Sequence, residues 1–134
     1  MPRTAALMTV LVLATAPAGA EIVSPDAFEA LAQGRTLHFS LDGMPFGAEQ
    51  FLPGRRSLWR FVGGACEPGS WRAEGEAICF VYDREPTPMC WHFRREGEGY
   101  AAWLVEDGAE TGFRLALDAI GPAPLPCPGP DVGS

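Results

Sequence analysis

The sequence predicts an all-β protein, an antiparallel barrel or sandwich of about eight short strands, with one short helix ahead of them. Three observations predict it. Short runs alternating between apolar and polar residues recur at spacings of about 8 to 12 residues, parted by Asp-Gly, Pro-Gly, Glu-Gly and Gly-Gly turn signals. Three of the four cysteines fall in one aromatic-rich stretch, Cys66 to Phe93, where cross-links would staple a β-meander. Helix punctuation falls on one short stretch near the front of the chain.

That helix opens at Ser24-Pro25-Asp26, which supplies a capping hydroxyl, a proline for the first turn and an acid near the positive end of the helix dipole. Phe28 and Leu31 share one face, and Gly34 offers a left-handed stop. Two turns do not persist alone in water, so this face must dock on a barrel mouth or a sheet edge. In the next run Leu37, Phe39 and Leu41 oppose Thr36, His38 and Ser40. After Asp42-Gly43, the run from Phe46 to Phe51 reads as a strand bent at Gly47. Ser57, Trp59 and Phe61 share a face of the third strand, with Arg56, Leu58 and Arg60 on the other.

In the central meander, strands are expected over 70–73, 76–82 and 89–95, with Pro68-Gly69 and the Pro86-Thr87-Pro88 stretch as breaks. Ile78, Phe80 and Tyr82 face one way there, as do Trp91 and Phe93 on the following strand. Tyr100 to Val105 and a last strand around Phe113, Leu115 and Leu117 complete the set. From Gly121 onward the chain is proline-rich, which predicts an extended tail tied down through Cys127.

Residues 1–20 have the layout of a secretory signal peptide. Arg3 precedes an apolar run, and Ala18-Gly19-Ala20 matches a small-residue cleavage site, so Glu21 is expected to begin the mature chain. The expected organisation is therefore a cleaved leader over 1–20, a single domain over 21–120 and a tethered tail over 121–134, with no membrane anchor once the leader is gone. The leader takes one arginine and no acid with it, moving the net charge from −7 to −8. Such an acidic domain repels nucleic acid and anionic lipid, which sets both aside as partners. Export to the periplasm or beyond also means oxidised cysteines and three possible pairings. Reading Glu74-Gly75 and residues 83–88 as hairpin turns puts Cys66 and Cys90 at one end of the sheet, which favours Cys66–Cys90 and leaves Cys79–Cys127.

Little in the chain points to a reaction. It lacks G-x-S-x-G, H-E-x-x-H and a glycine-rich phosphate loop, so no catalytic residue, cofactor or metal is assigned. A soft-metal site built from Met89, Cys90, His92 and Met44 would lose its best ligand to a disulfide. Glu49, Glu74, Glu76, Asp83 and Glu85 read as solvated strand ends and turns. Two non-catalytic readings remain. In the first, Trp59, Phe61, Phe80, Tyr82, Trp91, Phe93 and Trp103 line a barrel mouth that holds a small apolar or aromatic molecule. In the second, Arg55, Arg56 and Arg60 beside Trp59 form a local basic patch that recognises a periplasmic protein, as an interaction or inhibitor module.

The runs F-G-A-E-Q-F-L-P-G-R-R-S-L-W, C-E-P-G-S-W, I-C-F-V-Y and C-W-H-F, behind an export signal and a short helix, resemble a group of small exported bacterial proteins. The resemblance spans most of the mature chain and implies a calycin-type, lipocalin-like barrel. It brings no catalytic motif with it, and such a barrel of this size can also have its interior filled by side chains.

Overall fold

The alternating runs close on themselves. The computed structural model describes residues 1–2, 8–14 and 21–128, and the expected cleavage site at Ala18 to Ala20 and the last six residues of the tail lie outside them. Eight antiparallel strands form a closed barrel in sequence order: β1 (Thr36–Leu41), β2 (Met44–Leu52), β3 (Arg56–Phe61), β4 (Cys66–Glu74), β5 (Ala77–Tyr82), β6 (Glu85–Glu96), β7 (Gly99–Glu106) and β8 (Ala109–Gly121). Pairing of β8 with β1, Leu37 opposite Ile120 and Phe39 opposite Leu117, closes the ring and settles the choice between barrel and sandwich.

Helix α1 (Pro25–Ala32) is capped as expected, the Ser24 hydroxyl accepting from the Ala27 amide at 3.2 Å. Its docking residue is Phe28, fully buried against the rings of Phe51, Trp71 and Phe93 at centroid distances of 5.5, 5.4 and 4.4 Å. Ala32 is buried beside it, while Leu31 stays half-buried. The helix therefore plugs the barrel end that holds the β2–β3, β4–β5 and β6–β7 turns. Residues 21–23 hold it in place by running alongside β6. The Val23 amide donates to the Phe93 carbonyl and the Arg95 amide to the Glu21 carbonyl. They fill the length of β6 that β5 does not reach, since β5 pairs with β6 only as far as Ile78 opposite Trp91.

Two strands run through residues expected to break them. β4 passes through Pro68-Gly69 and β6 starts at Glu85, so that Pro86 and Pro88 lie in a strand. The latter is tolerated because β7 pairs with β6 only from Cys90 onward, which leaves the first residues of β6 as an edge with no ladder amide to supply. β8 is more than twice the length of the apolar signal at Phe113 to Leu117, since it reaches both the end of β7 and the start of β1. On β1, only His38 of the expected outward face is exposed. Thr36 is covered by the tail, donating to the Ala123 carbonyl at 2.7 Å, and Ser40 donates to Asp118 at 2.9 Å.

The disulfides are Cys66–Cys127 and Cys79–Cys90, which corrects the expected Cys66–Cys90 and Cys79–Cys127. Cys66 on β4 and Cys90 on β6 have β5 between them, a gap of about 9.5 Å at two strand spacings and beyond the roughly 7 Å reach of a disulfide. A loop centred on residues 83–88 would set Cys79 against His92. The turn is tighter, at Asp83-Arg84, and the register slips between Phe80 and Tyr82, so Cys79 faces Cys90 with Cα atoms 4.0 Å apart. The tail meanwhile crosses the outside of β1, β2 and β3 to reach Cys66. The Leu125 amide donates to Gln50 at 3.0 Å and the Arg60 guanidinium to the Pro126 carbonyl at 2.8 Å. Replacing Cys66 and Cys127 together with serine is expected to cost about 2–4 kcal/mol in urea unfolding and to release the tail to limited proteolysis. Unchanged stability and an uncut tail would show that the noncovalent contacts hold it unaided.

Candidate binding cavity

Inside the barrel, above the floor made by Phe28, Phe51 and Phe93, lies a cavity of about 430 Å³. Its walls come from inward positions on neighbouring strands. Trp59 and Phe61 come from β3, Phe80 and Tyr82 from β5, and Trp91 and Phe93 from β6. Phe39 of β1, Phe46 of β2 and Phe113 of β8 close the ring, with Leu104 and Leu115 between them. Phe61, Glu85, Met89 and Phe113 line the cavity and are exposed, so it opens to solvent at the end opposite the helix. Met44 and Val62, also exposed, make that end of the barrel apolar.

Two glycines make room for the walls. A Cβ on Gly47 would lie 2.4 Å from the Trp59 ring, and one on Gly69 would lie 2.7 Å from the Tyr82 ring and from the Val81 carbonyl. Each glycine thus leaves room for an aromatic ring of a neighbouring strand where a side chain of its own would collide with it. Gly47→Ala is expected to cost about 1–3 kcal/mol through the displaced indole and the nearby Arg60 carbonyl. Thermal unfolding and the Trp59 contribution to intrinsic fluorescence would read this out, and an unchanged melting temperature would count against the close packing.

One strongly polar group sits deep in this apolar space. Glu49 of β2 is 3% exposed, paired across the sheet with Trp59 and sharing its face with Phe51. The Tyr82 hydroxyl donates to Glu49 Oε2 at 2.8 Å, whereas Glu49 Oε1 has no hydrogen-bond partner among the described residues. Burial pushes the carboxyl up to about 8. The Ser57 hydroxyl, near it but outside hydrogen-bond geometry, and the Tyr82 hydroxyl pull it back, and the Glu67 carboxylate adds to the rise. At neutral pH the group is therefore mainly a neutral acid. Tyr82 is driven far above its ordinary value, first by burial and then by Glu49, and remains a donor. Half-buried Glu67 and exposed Glu85 also line the cavity, and among the described residues no arginine or histidine does.

Six of the seven aromatic residues expected to form a binding site come together here, and Trp103 does not. It points outward from β7, with the Arg114 guanidinium 5.9 Å from its ring centroid. Glu49 was misplaced among solvated acids. Period-two alternation with Phe51 signalled its inward direction, but a carboxylate on an apolar face runs against the usual partition of charge.

The arginines expected to meet a partner are all engaged within the chain. Arg55 pairs with Glu29 of the helix at 2.9 Å and lies over Trp71, with 4.6 Å to the ring centroid, rather than over Trp59. Arg56 pairs with Asp83 at 2.9 Å, and Arg60 donates to the carbonyls of Gly64 and Pro126. His92 shares Glu110 with Arg94 on the outer surface. Glu74 lies close to both Cys79 and Cys90, but their sulfurs are bonded to each other and offer no thiolate to a metal.

Fold and site define a class: a closed eight-stranded antiparallel barrel, plugged at one end by a helix, with an aromatic cavity open at the other. Compared with protein-family models, with curated proteins and with solved structures, the chain matches none.

Proposed function

We propose that this protein holds a small apolar or aromatic molecule in the barrel cavity, as a lipocalin-like carrier or accessory protein exported to an oxidising compartment. The observation that carries this reading is the cavity itself. A volume of about 430 Å³ lies within the range of small-molecule sites, and its lining is mainly aromatic with few polar groups. A packed interior would have needed a larger residue at Ala102, the smallest side chain on the lining. The leader and the two disulfides support export.

Nile red, a neutral dye whose emission rises and shifts blue on burial, is expected to bind one equivalent in the cavity and to quench Trp59 and Trp91. Ala102→Phe, which fills the cavity from β7, should abolish this while near-ultraviolet circular dichroism shows the barrel intact. Native mass spectrometry of protein from its own source should show a co-purifying small molecule. Dye binding that survives Ala102→Phe, or no binding and no co-purifying mass, would sink the reading.

A further inference from the structure

The cavity is apolar in its walls and one-sided in its charge. We infer that its occupant is an apolar or aromatic amine, whose ammonium group sits between the Glu49 carboxyl and the Glu67 carboxylate with its hydrocarbon part against the aromatic wall. This rests on the cavity being a binding site at all, and it names the class of molecule bound there.

Three separate features converge on a cation. First, Glu49 is one of the residues lining the cavity, and among the described residues its buried Oε1 has no hydrogen-bond partner, so the fold leaves one strong acceptor uncompleted. Such an orphaned buried atom is costly unless something completes it. Second, Glu67 and Glu85 are the other charged groups on the lining, both acidic. A fatty acid or other anion would enter a negative field with no arginine, lysine or histidine to receive its head group. Third, the rings of Trp59, Tyr82 and Trp91 line the cavity, and aromatic rings favour a cation over a neutral group of equal size wherever it meets a ring face.

The proton balance gives a distinctive readout. The titratable groups facing Glu49 are Tyr82 of β5 and Glu67 of β4, while β1 and β3 contribute Leu37 and Trp59 opposite it with Ser57 nearby. In the empty barrel below about pH 8 the Glu49 carboxyl is protonated. An ammonium ion entering from solvent pairs with the carboxylate, so the carboxyl gives its proton to water and the amine keeps its own. Binding therefore releases close to one proton below that pH and strengthens as pH rises toward 8.

The test uses three naphthalene probes of matched size: 1-naphthylmethylamine, 1-naphthalenemethanol and 1-naphthoate. By isothermal titration calorimetry at pH 7, the amine is expected to bind at least about tenfold more tightly than the alcohol, a difference on the scale of one charge-assisted contact. The carboxylate should bind weakest. Heats in two buffers of different ionisation enthalpy should show proton release for the amine and none for the alcohol. Glu49→Gln should bring the amine down to about the affinity that the same variant has for the alcohol, and Glu67→Gln should reduce the preference in part. Equal binding of amine and alcohol, or an amine preference that survives Glu49→Gln, overturns the inference. Failure of all three probes while Nile red binds also overturns it and leaves the cavity reading standing. Failure of Nile red as well removes the cavity reading and the inference with it.

Discussion

Glu49→Gln is expected to be more stable than the native sequence at pH 9, by up to about 5 kcal/mol, and to differ little from it at pH 4. Burial raises the folded-state carboxyl to about 8 from an ordinary value of 4.5. Between these two values the unfolded chain has lost the proton and the folded chain keeps it. The folded state then binds more protons, so stability falls as pH rises from about 4.5 to about 8 and levels off above that. Glutamine fills nearly the same volume, can still accept from Tyr82 and does not titrate. Other carboxylates make their own contribution to the pH dependence, so the informative quantity is the difference between the two proteins. Urea unfolding at pH 4, 6, 8 and 10 with both disulfides intact would measure it, and parallel curves would mean that the carboxyl is ionised in the fold.

Phe28→Ala is expected to cost about 3–5 kcal/mol, the upper end of the range for a core aromatic. The ring is fully buried and touches Phe51, Trp71 and Phe93, of which Phe51 and Phe93 line the cavity. Its loss should therefore also join the cavity to the space beneath the helix and loosen Nile red binding. The Arg55–Glu29 ion pair will not hold the helix alone, because both partners are partly exposed to solvent, where such a pair contributes little. A loss below about 1 kcal/mol would show that the helix is an ornament on a barrel already sealed by its own side chains.

Much of the architecture could be read from period-two alternation. The faces carrying Ser57, Trp59 and Phe61, then Ile78, Phe80 and Tyr82, then Trp91 and Phe93, were assigned correctly, and six of these residues line the cavity. The helix was equally legible from the Ser24 cap and Pro25. What remained hidden depends on the third dimension. Closure of β8 on β1 is set by strand tilt and stagger around the whole ring, and no local pattern encodes it. The disulfide pairing turned on a slip of register beside Phe80, which a symmetric view of the 83–88 loop misses. Prolines in β4 and β6 mark places where a neighbour is missing or slanted, knowledge that only the finished sheet provides. Glu49 was hidden for a chemical reason: a carboxyl belongs inside only when it is neutral or paired, and both conditions are properties of its surroundings.

The path of the tail bears on how this barrel gives way under force. β8 meets β1 at the single lateral joint that no short turn connects, and in such a ring this is where peeling would begin. Because the chain beyond β8 wraps over β1, β2 and β3 and is welded to Cys66, tension on the last described residues is borne by a covalent bond three strands away. The joint itself stays unloaded, so the staves can be drawn apart only after that weld is chemically reduced.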